Sequence, residues 1–197
     1  PFCEQACHYC DFHFSTNLKL KNKLILSIVE EMEIRKKQFP SKINSIYIGG
    51  GTPSLISNYE LEQIFKALET ITNLKNVNEI TIEVNPENIN ESKLKLYKKI
   101  GINRLSIGIQ SMNNKVLKWM NRIHDKEQII NGIKLVTKLG FENINIDFIY
   151  GTPSFLKRNY HEELSEILEF HPSHISCYHL TIEKGTLVNS IFNYPLN

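Results

Sequence analysis

The sequence predicts an α/β fold with parallel strands, a partial (β/α) barrel of the TIM type. Two patterns carry this. Short apolar strands alternate with amphipathic helices along the chain, and a repeated strand–helix order implies parallel strands joined by crossovers. In three strands, apolar residues also alternate with polar ones. Parallel strands buried on both faces read as continuous apolar runs. Here one face is greasy, ready for helices, and the other is polar. A barrel with a wet, ligand-facing interior accounts for both patterns. A doubly wound open sheet stays open as an alternative, because periodicity does not fix closure.

The elements follow in order. A helical pattern covers 19–37, with Leu24, Ile25, Ile28 and Met32 on its apolar stripe. Ile43 to Ile48 reads as a strand and is broken by Gly49-Gly50-Gly51. Ser57 and Glu60 have capping-box spacing, and Leu61, Ile64, Phe65, Leu68 and Ile71 continue as a helical stripe. Glu79 to Asn85 is the next strand, followed by a short helix that stops near Gly101. Arg104 to Gln110 is a strand, and a short helix then precedes Trp119 and Met120, which read as core or wall. Asp125 and Gln128 offer a second capping box, before Ile129, Ile130, Ile133, Val136 and Leu139 on one helix face and Gly140 at its end. Asn143 to Tyr150 is a strand, 160–170 a helix, and His174 to Thr181 a strand. The polar strand residues are Thr81, Glu83, Asn85, Ser106, Gly108, Gln110, Asn145 and Asp147. Those near the strand ends should face a ligand.

Composition narrows the class. At 197 residues the chain supports one substantial core. A formal charge of +2 argues for no nucleic-acid footprint. No apolar run reaches the roughly 18 residues of a membrane span, so at most peripheral membrane contact is expected. Three of the four cysteines are packed together near the start, which is not the spread of a disulfide framework. A reducing cytoplasm is the expected setting.

Those three cysteines, Cys3, Cys7 and Cys10, form a Cys-x3-Cys-x2-Cys cluster. Thiolates are soft ligands that suit iron–sulfur clusters and zinc. Three of them can hold three irons of a 4Fe–4S cube and leave one corner for an external ligand. The alternative is a structural zinc site completed by His8 or His13, in a zinc-stabilised binding domain. His161, His171, His174 and His179 read as structural or surface groups. His124 reads as a cap for the helix after Asp125 or as a solvent-facing group. Cys177, alone in a strand, reads as a small buried hydrophobe.

The glycines at 49–51 follow a strand directly, where they permit positive φ and close backbone approach. They are no phosphate loop, since the Gly-Lys-Ser/Thr ending is missing. Glu83, on a polar strand face, suits an ammonium group or ribose hydroxyls.

The cysteine segment, with Tyr9 before the third cysteine, is similar to the signature of the radical S-adenosylmethionine (SAM) enzymes. Pro-Phe-Cys and His-Tyr-Cys-Asp-Phe, Gly49 to Ser54, Glu83 to Pro86, Asn103 to Ser111, Asn121 to His124, Asn145 to Gly151 and His174 to Thr186 resemble the heme-chaperone (HemW) branch, close to oxygen-independent coproporphyrinogen III oxidases. Together these motifs span nearly the whole chain in order.

The resemblance implies that Cys3, Cys7 and Cys10 hold a 4Fe–4S cluster and that SAM chelates its fourth iron. One-electron reduction of SAM then yields methionine and a deoxyadenosyl radical. It further implies that Tyr9 lies beside the cluster and SAM, that Gly50, Gly51 and Thr52 hold the methionyl part, and that Glu83 contacts SAM. Gln110 and Asp147 match ligand positions, which in some members serve a second SAM. Arg122 matches a further contact, where a guanidinium can clamp a carboxylate. The implied cargo is heme or a porphyrin, the partners a heme-accepting respiratory protein and a reducing electron donor. Coproporphyrinogen oxidases carry another cysteine two residues past the third; Phe12 stands there. That departure favours the chaperone reading over radical decarboxylation, and leaves enzymatic turnover open. The expected domain is a radical SAM core over 1–197, cut at both ends, without its first strand and the family's C-terminal domain.

Overall fold

Five strands form one sheet in chain order: β1 (Ser45–Ile48), β2 (Glu79–Val84), β3 (Arg104–Gln110), β4 (Asn143–Tyr150) and β5 (His174–His179). Every neighbouring pair is parallel. The computed structural model describes residues 1–192, and the expected end of the core at Asn197 lies outside them. An order that advances one strand at a time is that of a barrel wall. A doubly wound sheet reverses direction at its middle, so that alternative falls and the partial barrel stands.

Among the described residues seven α-helices accompany the strands: α1 (Lys21–Ile34), α2 (Asn58–Ile71), α3 (Glu91–Lys99), α4 (Asn114–Trp119), α5 (Lys126–Lys138), α6 (Tyr160–Leu168) and α7 (Leu187–Phe192). Among the described residues no helix is long and apolar enough to cross a membrane. α3 and α5 stop just before Gly101 and Gly140, as the sequence predicts.

The core lies on the apolar face of the sheet. Ile80, Ile82, Val84, Leu105, Ile107, Ile109, Ile144, Ile146 and Phe148 pack against Leu61 and Phe65 of α2, Leu94 and Tyr97 of α3, Ile129, Ile133 and Val136 of α5, and Ile167 of α6. Each such side chain contributes roughly 1.5–3 kcal/mol on leaving water. The register keeps the two faces separate. Glu83 pairs with Ser106 and Ser106 with Asn145, while Ile82 pairs with Leu105 and Leu105 with Ile144. One polar row therefore crosses the sheet beside one apolar row.

That row breaks once. Gly108 pairs with Asp147, but Gln110 pairs with Phe148, leaving Ile109 as an extra residue in β3. Gln110 takes φ of 66°, a left-handed conformation rare outside glycine. A bulge of this kind bends the strand end and re-aims a side chain.

Some boundaries differ from the sequence expectation. The first helix is shorter, because Asn17 caps a tight turn at Leu18–Leu20 and another tight turn takes Lys36–Gln38. Of its apolar stripe only Ile25 is fully buried. Pairing of β1 begins at Ser45, and pairing of β5 ends at His179. Cys177 is exposed, against the expectation of a buried position. Odd and even residues of β5 face opposite sides, and β5 is the edge of the sheet, so neither face is covered as in β2 to β4.

Both capping boxes form as predicted. Ser57 and Glu60 open α2, and Asp125 and Gln128 open α5. Glu60 also pairs with Lys21, which ties α1 to α2. Burial pushes the Glu60 carboxyl up, but the Lys21 bond and the Ser57 hydrogen bonds outweigh it and hold the value at about 2. A carboxyl depressed from an ordinary 4.5 adds stability above that ordinary value and loses it as pH falls toward about 2. Glu60→Gln is therefore expected to lower stability at neutral pH and to flatten the acid limb of the stability profile between those values. Urea unfolding midpoints against pH measure this; a variant with the wild-type acid limb would contradict it.

Candidate functional site

The cysteine loop has almost no regular structure of its own, and the barrel rim holds it in place. Cys3 N–H donates to the Ser15 carbonyl at 3.1 Å, and Ser15 N–H to that of Pro1 at 2.8 Å. Thr52 N–H, just after the glycines, donates to the Phe2 carbonyl at 2.8 Å. The other side is tied to the end of α4. His8 N–H donates to the Met120 carbonyl at 3.1 Å, and its Nδ1 to that of Trp119 at 2.7 Å. Gln5 Nε2 reaches Asn121 Oδ1 at 2.6 Å, and Asn121 Nδ2 donates to the Ala6 carbonyl at 2.7 Å. His8 is thus a loop anchor, with one ring nitrogen already committed.

Glycine is required at the rim. Gly50 and Gly51 have φ of 89° and 57°. A Cβ on Gly51 would lie 2.7 Å from Phe2 N and 2.8 Å from Pro1 C, both backbone atoms that cannot swing away. A Cβ on Gly50 would meet nothing within 4 Å. Gly51 is therefore where the cysteine loop crosses the strand end.

The polar strand face forms the wall behind the loop. Glu83 accepts from Tyr47 OH at 2.9 Å and from Gly50 N–H at 3.0 Å. Each oxygen keeps further acceptor capacity. Burial and the Glu83 bond together push the Tyr47 hydroxyl up to about 12. Asn145 Nδ2 donates to Ser106 Oγ and to Asp147 Oδ1, each at 2.8 Å, and Ser176 Oγ donates to Asn145 Oδ1 at 3.0 Å. Burial raises the Asp147 carboxyl above its ordinary range, against the Asn145 and Ser106 hydrogen bonds.

Arg122 stands between loop and wall. Its Nη1 donates to Cys7 Sγ at 3.4 Å, and its Nη2 to Asn85 Oδ1 at 2.8 Å and to the Gly108 carbonyl at 2.9 Å. Tyr9 packs against Val116, Met120, Ile149 and Leu180. Burial raises its hydroxyl far above the ordinary value, with Arg122 acting the other way. Burial likewise raises the Cys10 thiol, with Cys7 and Cys3 adding to the shift.

Cys3, Cys7, Tyr9, Cys10, Gly50, Gly51, Thr52, Glu83, Gln110, Arg122 and Asp147 all line one cavity of about 550 Å³. Sequence reasoning named every one of these. It missed Tyr47 and the two buried pairs that brace the rim. His124 neither caps a helix nor faces solvent. Its Nδ1 lies 2.8 Å from Glu87 Oε2 and its Nε2 3.2 Å from the Ile109 carbonyl. Arg158 grips Glu163 through Nε and Nη2, each at 2.8 Å, and donates Nη1 to the Ile149 carbonyl at 2.6 Å. Glu163 in turn accepts from Ser111 Oγ and Met112 N–H, so this pair joins the ends of β3 and β4.

The donor set fits an iron–sulfur cluster with an amino-acid-like ligand. Two buried polar atoms in the cavity wall, Gln110 Oε1 and Arg122 Nε, have no partner. A ligand bearing both an N–H donor and an anionic group would satisfy both, as buried polar atoms require. Among the described residues no three His, Cys, Asp or Glu side chains converge on a single-ion site.

Residues 1–170 match the model of the radical SAM superfamily. The chain is 34% identical over 192 residues to the heme chaperone HemW of Buchnera aphidicola from Schizaphis graminum, covering 94% of this chain and 50% of that protein. It is 33% identical over 188 residues to HemW of Lactococcus lactis, covering 95% and 49%. The crystal structure of Escherichia coli coproporphyrinogen III oxidase (HemN), a radical SAM enzyme, superposes with a TM-score of 0.79 at 28% identity, covering 98% of this chain and 44% of that one. The chain thus spans about half the length of the relatives it matches.

The loop crossing yields a direct prediction. Gly51→Ala is expected to push the Pro1–Cys3 backbone off the rim and speed alkylation of the three loop thiols in metal-free protein by about tenfold or more, whereas Gly50→Ala carries only the cost of a left-handed alanine, about 1 kcal/mol. Equal alkylation rates in the two variants would contradict the assigned crossing.

Proposed function

The chain belongs to the radical SAM superfamily, and from that premise we propose that it is a heme-chaperone-like protein that holds a 4Fe–4S cluster, SAM and heme and delivers the heme to a respiratory protein. The observation that carries the reading is the single cavity onto which three loop thiols, the Gly50–Thr52 rim and the Glu83 carboxylate all open. The setting proposed is the cytoplasm, with a reducing electron donor.

Cys3, Cys7 and Cys10 would ligate three irons, leaving the fourth to SAM. The loaded group supplies one-electron chemistry, and the protein supplies binding, orientation and exclusion of water. Glu83 is preset for an ammonium group or ribose hydroxyls by the Tyr47 and Gly50 hydrogen bonds. The exposed backbone of Gly50 and Gly51 lets a chain of methionyl length lie close to the rim. Tyr9 closes the cavity beside the loop, and its burial among apolar side chains keeps the phenol neutral. Gln110, aimed by the β3 bulge, and Asp147, set by Asn145 and Ser106, face the deeper wall, where a second ligand would sit.

Phe12 supports the chaperone side of the family. It stands where the coproporphyrinogen oxidases carry a further cysteine, and it is 80% exposed beside the cavity mouth. An apolar ring at the mouth suits contact with a flat apolar ligand more than it suits metal ligation.

Two outcomes are expected in anaerobically reconstituted full-length protein. Replacing any one of Cys3, Cys7 or Cys10 with Ala removes the cluster, measured as iron content; full iron retention in all three variants sinks the assignment. Glu83→Gln keeps its iron but binds SAM at least about tenfold more weakly, the scale of one lost hydrogen bond to a charged group; an unchanged SAM titration removes Glu83 from the site. Heme retention without coproporphyrinogen turnover identifies the chaperone, and SAM-dependent decarboxylation of coproporphyrinogen the oxidase.

A further inference from the structure

Cys7 differs from the other two loop cysteines. Among the described hydrogen bonds, it alone receives a guanidinium, from Arg122 Nη1 at 3.4 Å. Arg122 is held there by the protein itself, since Asn85 Oδ1 and the Gly108 carbonyl fix its Nη2. Behind it lies Glu87, which also lines the cavity. The Glu87 carboxylate is pinned at 2.8 Å by His124, whose side chain is wholly buried and whose other ring nitrogen faces the Ile109 carbonyl at 3.2 Å. The charged or titratable groups acting most strongly on Arg122 are Tyr9, Cys7 and Glu87. Tyr9 is a buried neutral phenol and Cys7 is the thiolate of the cluster loop, so Glu87 is the carboxylate among them.

Resting on the cluster assignment above, we propose that Arg122 is a positioning residue that acts on the cluster through the Cys7 thiolate, and that Glu87, braced by His124, is its counter-charge. A hydrogen bond to a ligating sulfur and a nearby positive charge both favour the reduced, more negative cluster. Both therefore raise its potential, and a nearby carboxylate lowers it. The cavity wall carries both kinds of group: Arg122 bonds the Cys7 sulfur, and Glu87 is one of five carboxylates in the lining, with Glu4, Asp11, Glu83 and Asp147. The His124 contact with Ile109 adds a mechanical link, because Ile109 is the extra residue of the bulge that aims Gln110. Cluster and deeper ligand wall thus share one buried support.

The test is the cluster midpoint potential in reconstituted full-length protein, by redox titration followed by electron paramagnetic resonance, with iron content and SAM affinity measured alongside. Arg122→Gln is expected to shift the potential to more negative values and Glu87→Gln to more positive values, each at wild-type iron content. A role in packing alone moves neither. Shifts of the same sign, or no shift in Glu87→Gln, overturn the proposal. So does a loss of SAM affinity in Arg122→Gln with the potential unmoved, which makes Arg122 a direct ligand contact. If a neutral variant does not fold, Arg122→Lys and Glu87→Asp displace the charges and should give the same opposed shifts at smaller size; their absence is equally decisive. Wild-type protein that takes up no cluster overturns the underlying assignment instead.

Discussion

A loop without secondary structure of its own must be held still enough to present three thiols together, and its attachments to the barrel rim are the constraint on which the site depends. Two hinges carry it. On one side Thr52 N–H meets the Phe2 carbonyl, with Gly51 leaving room for the crossing. On the other, His8, Gln5 and Ala6 are stitched to Trp119, Met120 and Asn121 at the end of α4. Ordering each residue of such a loop costs about 1–2 kcal/mol of backbone entropy. A handful of neutral hydrogen bonds, each worth roughly 0.5–1.5 kcal/mol net, barely offsets that. The loop is therefore a segment whose order gains most from a bound metal group, which couples loading to local folding.

The sheet meets this loop with a polar face that is unusual for parallel strands, and its polarity is almost fully satisfied internally. Asn145 bridges Ser106, Asp147 and Ser176 across three strands. At the rim the network opens, and Glu83, Gln110 and Arg122 turn toward the cavity. The unpartnered atoms, Gln110 Oε1 and Arg122 Nε, sit at this boundary between closed network and open cavity. A protein core tolerates few such orphans, so their location marks the ligand side of the wall.

The β-strands and their faces were legible in the sequence because alternation with period two survives burial. Arg104 to Gln110 and Asn143 to Tyr150 match their expected bounds. The two capping boxes were legible because four residues suffice to specify them. The candidate residues came from the cysteine spacing, from the polar strand positions, and from likeness to a family; the structure brings them onto one cavity. What the sequence hid depends on contacts far apart in the chain. His124 read as a helix cap or a solvent-facing group because nothing nearby shows that Glu87 and the Ile109 carbonyl will enclose it. The Arg158–Glu163 pair drew no notice in the sequence, yet both side chains are nearly inaccessible, at 1% and 7%. Cys177 failed the other way: an apolar-looking strand position is exposed because β5 is an edge.

The central claim is that these thiols hold a cube with one iron free for an organic ligand. Mössbauer spectroscopy of anaerobically reconstituted full-length protein, loaded with the active iron isotope and recorded with and without SAM, tests it most directly. The account predicts one iron site distinct from the other three, whose signal alone moves when SAM is added. Four equivalent irons unresponsive to SAM, or protein that takes up zinc in place of iron, would contradict it.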